Sequence, residues 1–208
     1  KEITGIKDLK PADDMPEAIN SMADFVNLSA MLRGLAIELI RIANDLRLLS
    51  SGPRTGFAEI ILPAVQPGSS IMPGKVNPVM AEMLNMVCFQ VIGNDMAIAM
   101  AAQAGQLELN VMMPLINYNI LQSLEILKNA VKIFTEKCVK GIKADKARCK
   151  EMAEKSIGLA TILNPFIGYE KAAVVAKGAV ATGKTIREVV LEKGILSEKE
   201  INKILDPM

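Results

Sequence analysis

Residues 18–49 read AINSMADFVNLSAMLRGLAIELIRIANDLRLL. Apolar residues recur at Ala18, Met22, Phe25, Leu28, Leu32, Leu35, Leu39, Ile42, Leu46 and Leu49. Steps of three and four are the spacing of one helix face, so the stretch predicts a long α-helix. A second set, Ile19, Ala23, Val26, Ala30, Ile37 and Ile40, widens the apolar arc beyond a two-helix seam. Such a helix touches several neighbours and belongs inside a bundle. A polar lead around Lys10, Pro11, Asp13 and Asp14 precedes it. Ser51, Gly52 and Pro53 stop it, because proline cannot continue the hydrogen-bond ladder and disfavours a helical residue before it.

The same period returns further along the chain. Met80, Leu84, Val87, Val91, Ile98 and Ala101, with Asn94 as the polar entry, predict a second long helix from Pro78 to about Ala104. Its later half carries Ala97, Ala99, Ala101, Ala102 and Ala104, which suits either close approach of another helix or simple helix propensity. From Met113, the series Ile116, Ile120, Leu124, Leu127, Val131, Phe134 and Cys138 predicts a third, with Pro114 in its first turn or kinking it. Helices of this length span about 40 Å and suit a bundle shared between subunits. After Gly141 the helical stretches shorten, punctuated by Asn164, Pro165, Gly168, Gly183 and Gly194. Only residues 57–62 offer a short strand. The expected fold is all-α. Residues 1–140 form part of a long-helix bundle domain that includes a loop at 66–78, and residues 141–208 form a small helical C-terminal domain.

Composition narrows the classes of function. Half of the 208 residues are apolar, enough for a packed core, and the net charge of +1 shows no basic footprint for nucleic acid. Polar residues interrupt each apolar stretch before the length needed to span a membrane, so no membrane partner is expected. Cys88, Cys138 and Cys149 have no paired spacing, and a reducing cytoplasm is the expected location. Asn27-Leu28-Ser29 is a glycosylation sequon inside a helical pattern and is read as chance. With no histidine in the chain, a histidine base or ligand would have to come from elsewhere, and no metal or cofactor is expected. The first residue, Lys1, fits a piece of a longer protein.

The loop at 66–78 stands apart from the helices around it. Prolines flank it, glycines sit at 68 and 74, and it carries two adjacent serines, a lysine and an asparagine. An ordinary surface connection is one reading. The other is a site: Gly68 and its successors could present consecutive backbone N–H groups, Lys75 adds positive charge, and Asn77 adds an amide donor before a helix start. That combination favours a carboxylate.

Gly68-Ser69-Ser70-Ile71-Met72-Pro73-Gly74-Lys75-Val76-Asn77-Pro78 resembles the G-S-S-x-M-P-x-K-x-N-P signature of the fumarase/aspartase superfamily. The resemblance extends to Asn44-Asp45-Leu46-Arg47, Ser51-Gly52-Pro53-Arg54, Val91-Ile92-Gly93-Asn94-Asp95, residues 105–111 and Asn164-Pro165-Phe166-Ile167-Gly168. Cys88-Phe89-Gln90, Ala104-Gly105-Gln106-Leu107 and Thr182-Gly183-Lys184 look more like aspartase than fumarase.

The resemblance implies a lyase that takes a proton from the carbon beside a carboxylate and expels ammonia from L-aspartate, releasing fumarate. Hydration of fumarate is the neighbouring alternative, and a helical scaffold without chemistry is the alternative of another class. By matching positions, Ser69 is the implied base and Ser70 a donor to the carboxylate on which charge develops. Lys75 and Asn77 hold the other carboxylate, and Gly68, Met72, Pro73 and Gly74 shape the loop. Glu82 matches a position that orients a histidine of another subunit; a solvated helix-face carboxylate is its plain alternative. The resemblance also implies a homotetramer with shared sites, a small dicarboxylate substrate, and no activity for this stretch alone.

Gly178-Ala179-Val180-Ala181-Thr182-Gly183-Lys184-Thr185 satisfies the phosphate-loop pattern, but its flanks look helical where a nucleotide site needs a preceding strand. A turn between two short helices is expected there. The methionines, Met80, Met83, Met86, Met112 and Met113 among them, read as core filling.

Overall fold

The computed structural model describes residues 5, 7, 8 and 10–205. The remaining positions at either end of the two expected domains lie outside the described residues. The chain divides into two compact units, Lys1–Lys143 and Ala144–Met208. Helix dominates both. The regular strands among the described residues are two-residue pieces, β1 (Ile60–Ile61) and β2 (Lys143–Ala144), so little of the strand expected over 57–62 forms.

The first unit is built on three long helices, α2 (Ala23–Leu49), α3 (Val79–Ala102) and α4 (Met113–Lys137), preceded by the short α1 (Met15–Asn20). At 27 residues, α2 spans about 40 Å. Helix α3 lies between the other two and packs along both. Pro114 sits in the first turn of α4, where its missing N–H would have had no helical partner.

The expected single helix over residues 18–49 is interrupted. Helix α1 ends at Asn20, and Ser21 is extended, with ψ of 122°. Its backbone is captured by a distant loop: Asn110 N–H donates to the Ile19 carbonyl at 3.0 Å, and Asn20 Nδ2 donates to the Leu107 carbonyl at 2.7 Å. A Cβ on Gly105 would meet Asn20 Oδ1 at 2.2 Å, so a larger residue there would displace the Asn20 side chain. Tertiary hydrogen bonds that no local pattern encodes override the helical period.

The core of this unit gathers Ala36 and Ala43 of α2, Ala81, Leu84, Cys88 and Val91 of α3, and Leu127, Ala130 and Phe134 of α4. On α2 the buried seam runs through the small residues Ser29, Ala36 and Ala43, while Phe25, Leu28, Leu35 and Ile42 are exposed. Small side chains let α2 and α3 approach closely, which leaves the bulky residues pointing outward. Of Ala97, Ala99, Ala101 and Ala102 on α3, only Ala101 is buried, and Ala104 lies beyond the helix end.

Against expectation, α3 is long and apolar enough to cross a membrane by length and composition. Its position explains the composition. A helix packed on two sides must be apolar over more of its circumference than a surface helix. Two of its buried polar residues, Asp95 and Asn94, are bonded within the bundle. Asp95 accepts from Ser29 Oγ and Arg33 Nη1, each at 2.7 Å. Asn94 Nδ2 donates to Ser123 Oγ at 3.0 Å and Gln122 Oε1 at 3.1 Å.

The second unit contains α5 (Lys146–Glu154), α6 (Leu159–Ile167), α7 (Tyr169–Thr182), α8 (Ile186–Glu192) and α9 (Glu198–Leu205). Leu163, Val175, Ile186, Val190 and Ile201 form its core. The phosphate-loop pattern falls on the turn between α7 and α8. Gly183, at φ of 70°, ends α7, and Thr185 begins α8 with a reciprocal capping box. Its side chain accepts from Glu188 N–H at 3.2 Å while Glu188 Oε2 accepts from Thr185 N–H at 2.7 Å. Lys184 pairs with Glu192.

Candidate active site

The loop at 66–78 leads from β1 into α3, whose first turn begins directly after Pro78. It folds back on itself. Gly68 N–H donates to the Lys75 carbonyl at 2.8 Å, and Asn77 Nδ2 donates to the Gly68 carbonyl at 2.9 Å. A Cβ on Gly68 would lie 2.5 Å from the Lys75 oxygen, so the closure needs glycine at that position. Gly74 has φ of 78°, the left-handed conformation that glycine adopts without penalty.

Within the closed loop, Ser69 Oγ accepts two backbone hydrogen bonds, from Ile71 N–H at 3.1 Å and Met72 N–H at 3.2 Å. Two amide dipoles aimed at one hydroxyl oxygen stabilise negative charge there. Ser69 and Lys75 line a common cavity of about 390 Å³ with Ala64, Gln66, Pro67 and Val76. Ser70 is exposed and does not line it; Asn77 is partly buried and uses an amide N–H to hold the loop. The expected nest of free N–H groups is corrected by these bonds. The amides of Gly68, Ile71 and Met72 point at acceptors inside the loop, leaving Lys75 as the loop's cation at the cavity.

Glu82 stands in the first turn of α3. Its Oε1 lies 4.0 Å from Arg47 Nη2. Arg47 and Asn44 come from the end of α2, and Asn85 from one turn further along α3. Asn44 and Arg47 fall within Asn44-Asp45-Leu46-Arg47, whose residues carried no expected role, and Asn85 lies outside every motif. The available signal was a polar residue three positions after Glu82 in an otherwise apolar face.

A larger cavity, about 810 Å³, lies in the second unit between α5, α6, α8 and α9 and holds none of the loop residues. Among the described residues, no three His, Cys, Asp or Glu side chains gather as a metal-ligand set.

Residues 1–93 match the family described as Lyase, and residues 159–208 match the Fumarase C C-terminus. The chain is 55% identical over 199 residues to the aspartate ammonia-lyase of Pseudomonas fluorescens, covering 96% of this chain and 42% of that protein. It matches the fumarate lyase:delta crystallin structure from Brucella melitensis in native form with a TM-score of 0.90 and 54% identity, covering 100% of this chain and 46% of that one. It matches the recombinant class II fumarase structure from Schistosoma mansoni with a TM-score of 0.87 and 41% identity, covering 96% and 42%. The chain thus spans less than half the length of these relatives. The chain is an all-α bundle with a glycine-closed serine loop at the head of its middle helix, and its first 93 residues match a lyase family. The chain belongs to the fumarase/aspartase superfamily, as part of the C-terminal region of its members.

Proposed function

We propose that the parent protein, of which this chain supplies the C-terminal part, is an aspartate ammonia-lyase. The observation that carries the reading is the pairing of Ser69 Oγ, under two amide N–H groups, with Lys75 at one small cavity. Higher identity to an aspartate ammonia-lyase, 55%, than to a fumarase, 41%, favours ammonia over water as the leaving group.

In this reading Ser69 Oγ, as its alkoxide, takes a proton from the carbon beside one carboxylate of L-aspartate. The electron pair moves into that carboxylate, which gains a second negative charge, and its return expels ammonia from the neighbouring carbon and forms the double bond of fumarate. Donors that meet the doubly charged carboxylate act more strongly in the transition state than in the ground state, which is where rate is gained. Ser70 is assigned that task, and Lys75 with the second N–H of Asn77 holds the opposite carboxylate. Gly68, Met72, Pro73 and Gly74 give the loop its shape. Glu82 orients a histidine from another subunit, since this chain has none. No metal or cofactor is assigned. A homotetramer in the cytoplasm completes the reading, supported by the apolar side chains exposed along α2, α3 and α4.

The test is fumarate release by the parent protein from L-aspartate and from L-malate. Ser69→Ala is expected to lower kcat on L-aspartate by on the order of a hundredfold or more, the usual scale for a lost general base. An unchanged rate removes Ser69 from the mechanism. Faster release from L-malate makes the protein a hydratase.

A further inference from the structure

At the loop end of α2 and α3, four polar side chains are linked in series. Arg47 Nη2 approaches Glu82 Oε1 at 4.0 Å, Arg47 Nη1 donates to Asn44 Oδ1 at 3.3 Å, and Asn85 Nδ2 donates to the same oxygen at 2.8 Å. The series begins at a half-exposed carboxylate and ends on a buried amide: Asn85 is 4% exposed, and its Oδ1 has no hydrogen-bond partner among the described residues. A half-satisfied amide is a poor way to join two helices, because an aliphatic side chain would pack at that level without an unpaired acceptor. The ion pair is equally weak as a tie, with the two side chains 42% and 40% exposed. Neither end of the series is explained by stability.

What the series does supply is orientation. Asn85 fixes Asn44, Asn44 takes one arm of the planar Arg47 guanidinium, and the other arm is left facing Glu82. A guanidinium held by one arm presents the second in a defined direction, which a flexible ammonium does not. We propose that Arg47, aligned by Asn44 and Asn85, is a positioning residue that holds the Glu82 carboxylate in place for its partner in catalysis. The inference rests on the role assigned to Glu82 above. It differs from an interhelical tie in acting through Glu82 alone.

The experiment uses the parent protein with L-aspartate. Arg47→Gln is expected to lower kcat about tenfold, as loss of an orienting partner does, with KM changed less than twofold. Arg47→Lys, which keeps the charge without the fork, should recover part of the rate. In a Glu82→Gln background, Arg47→Gln should cost nothing further. Asn44→Ala should show the same pattern and decides the matter if the Arg47 variants do not fold. An active parent in which these variants leave kcat unchanged, or in which their effects multiply with that of Glu82→Gln, overturns the inference alone. A parent that releases no fumarate from L-aspartate or L-malate overturns the lyase reading and this inference together.

Discussion

Gly68 shows how much one missing carbon can specify. Its N–H and carbonyl both close the loop, and a Cβ would stand 2.5 Å from the Lys75 oxygen and 2.8 Å from the Lys75 carbonyl carbon. Gly68→Ala is therefore expected to open the loop and lower activity of the parent protein by at least tenfold, the scale of a misplaced catalytic group. Circular dichroism should remain that of the wild type, because the loop lies outside the helical core. Normal activity would show that closure is dispensable. The chemistry-bearing residue types here were legible in sequence, but their geometry was not. Reading suggested free amides around Gly68; folding directs those of Ile71 and Met72 onto Ser69 Oγ, since a loop this short satisfies its own donors before offering any. The cysteines make a second test. Burial pushes the Cys88 thiol up to about 11 and raises that of Cys138, so both are neutral at pH 8 and Cys88 forms its thiolate only as pH rises through about 11. In the native protein at pH 8, a disulfide reagent should label Cys149 well before Cys88 or Cys138. Equal labelling would mean that the bundle opens.

At the level of elements, the long helices could be read from their period, but the choice of inward face could not. Periodicity ranks Phe25, Leu28, Leu35 and Ile42 as core, whereas the seam buries Ser29, Ala36 and Ala43. The approach of α3 selects small residues, and that approach is a tertiary fact. Ser29 and Asp95 tie this seam, with Arg33 from the solvent side. Asp95→Ala leaves the Ser29 hydroxyl without its acceptor and is expected to destabilise the parent protein by about 1–3 kcal/mol, read by urea denaturation. Arg33 is 49% exposed and adds little to that figure. In the second unit, Thr185→Ala removes the cap of α8 and should cost about 1 kcal/mol. Glu188, whose carboxyl is held below its ordinary range by the Thr185 N–H and hydroxyl, stabilises the cap at neutral pH. Because its folded-state value is depressed, that contribution is present above the ordinary carboxylate value of 4.5 and fades as pH falls through the lower folded value. A Thr185→Ala variant as stable as wild type would remove the capping box from the account.

For the molecule as a whole, the exposed apolar surface is the feature that one chain leaves open. Met31 is 73% exposed on α2, Phe89 57% on α3, and Leu121 57% on α4. Large apolar side chains exposed on each of the three long helices suit contact with other chains. Sedimentation of the parent protein should give a tetramer, and Phe89→Glu or Leu121→Glu should shift it to smaller species; a monomeric parent would contradict shared sites. The sequence pattern pointed to such a bundle through the wide apolar arc of α2. The chain spans less than half the length of its relatives. The most direct test of the account is the ultraviolet absorbance of fumarate formed by the parent protein, given L-aspartate or L-malate, with Ser69→Ala beside the wild type. Fumarate is expected from L-aspartate, with far less from L-malate and loss of the signal in Ser69→Ala; no fumarate from L-aspartate, or a variant as fast as the wild type, would contradict the proposed elimination.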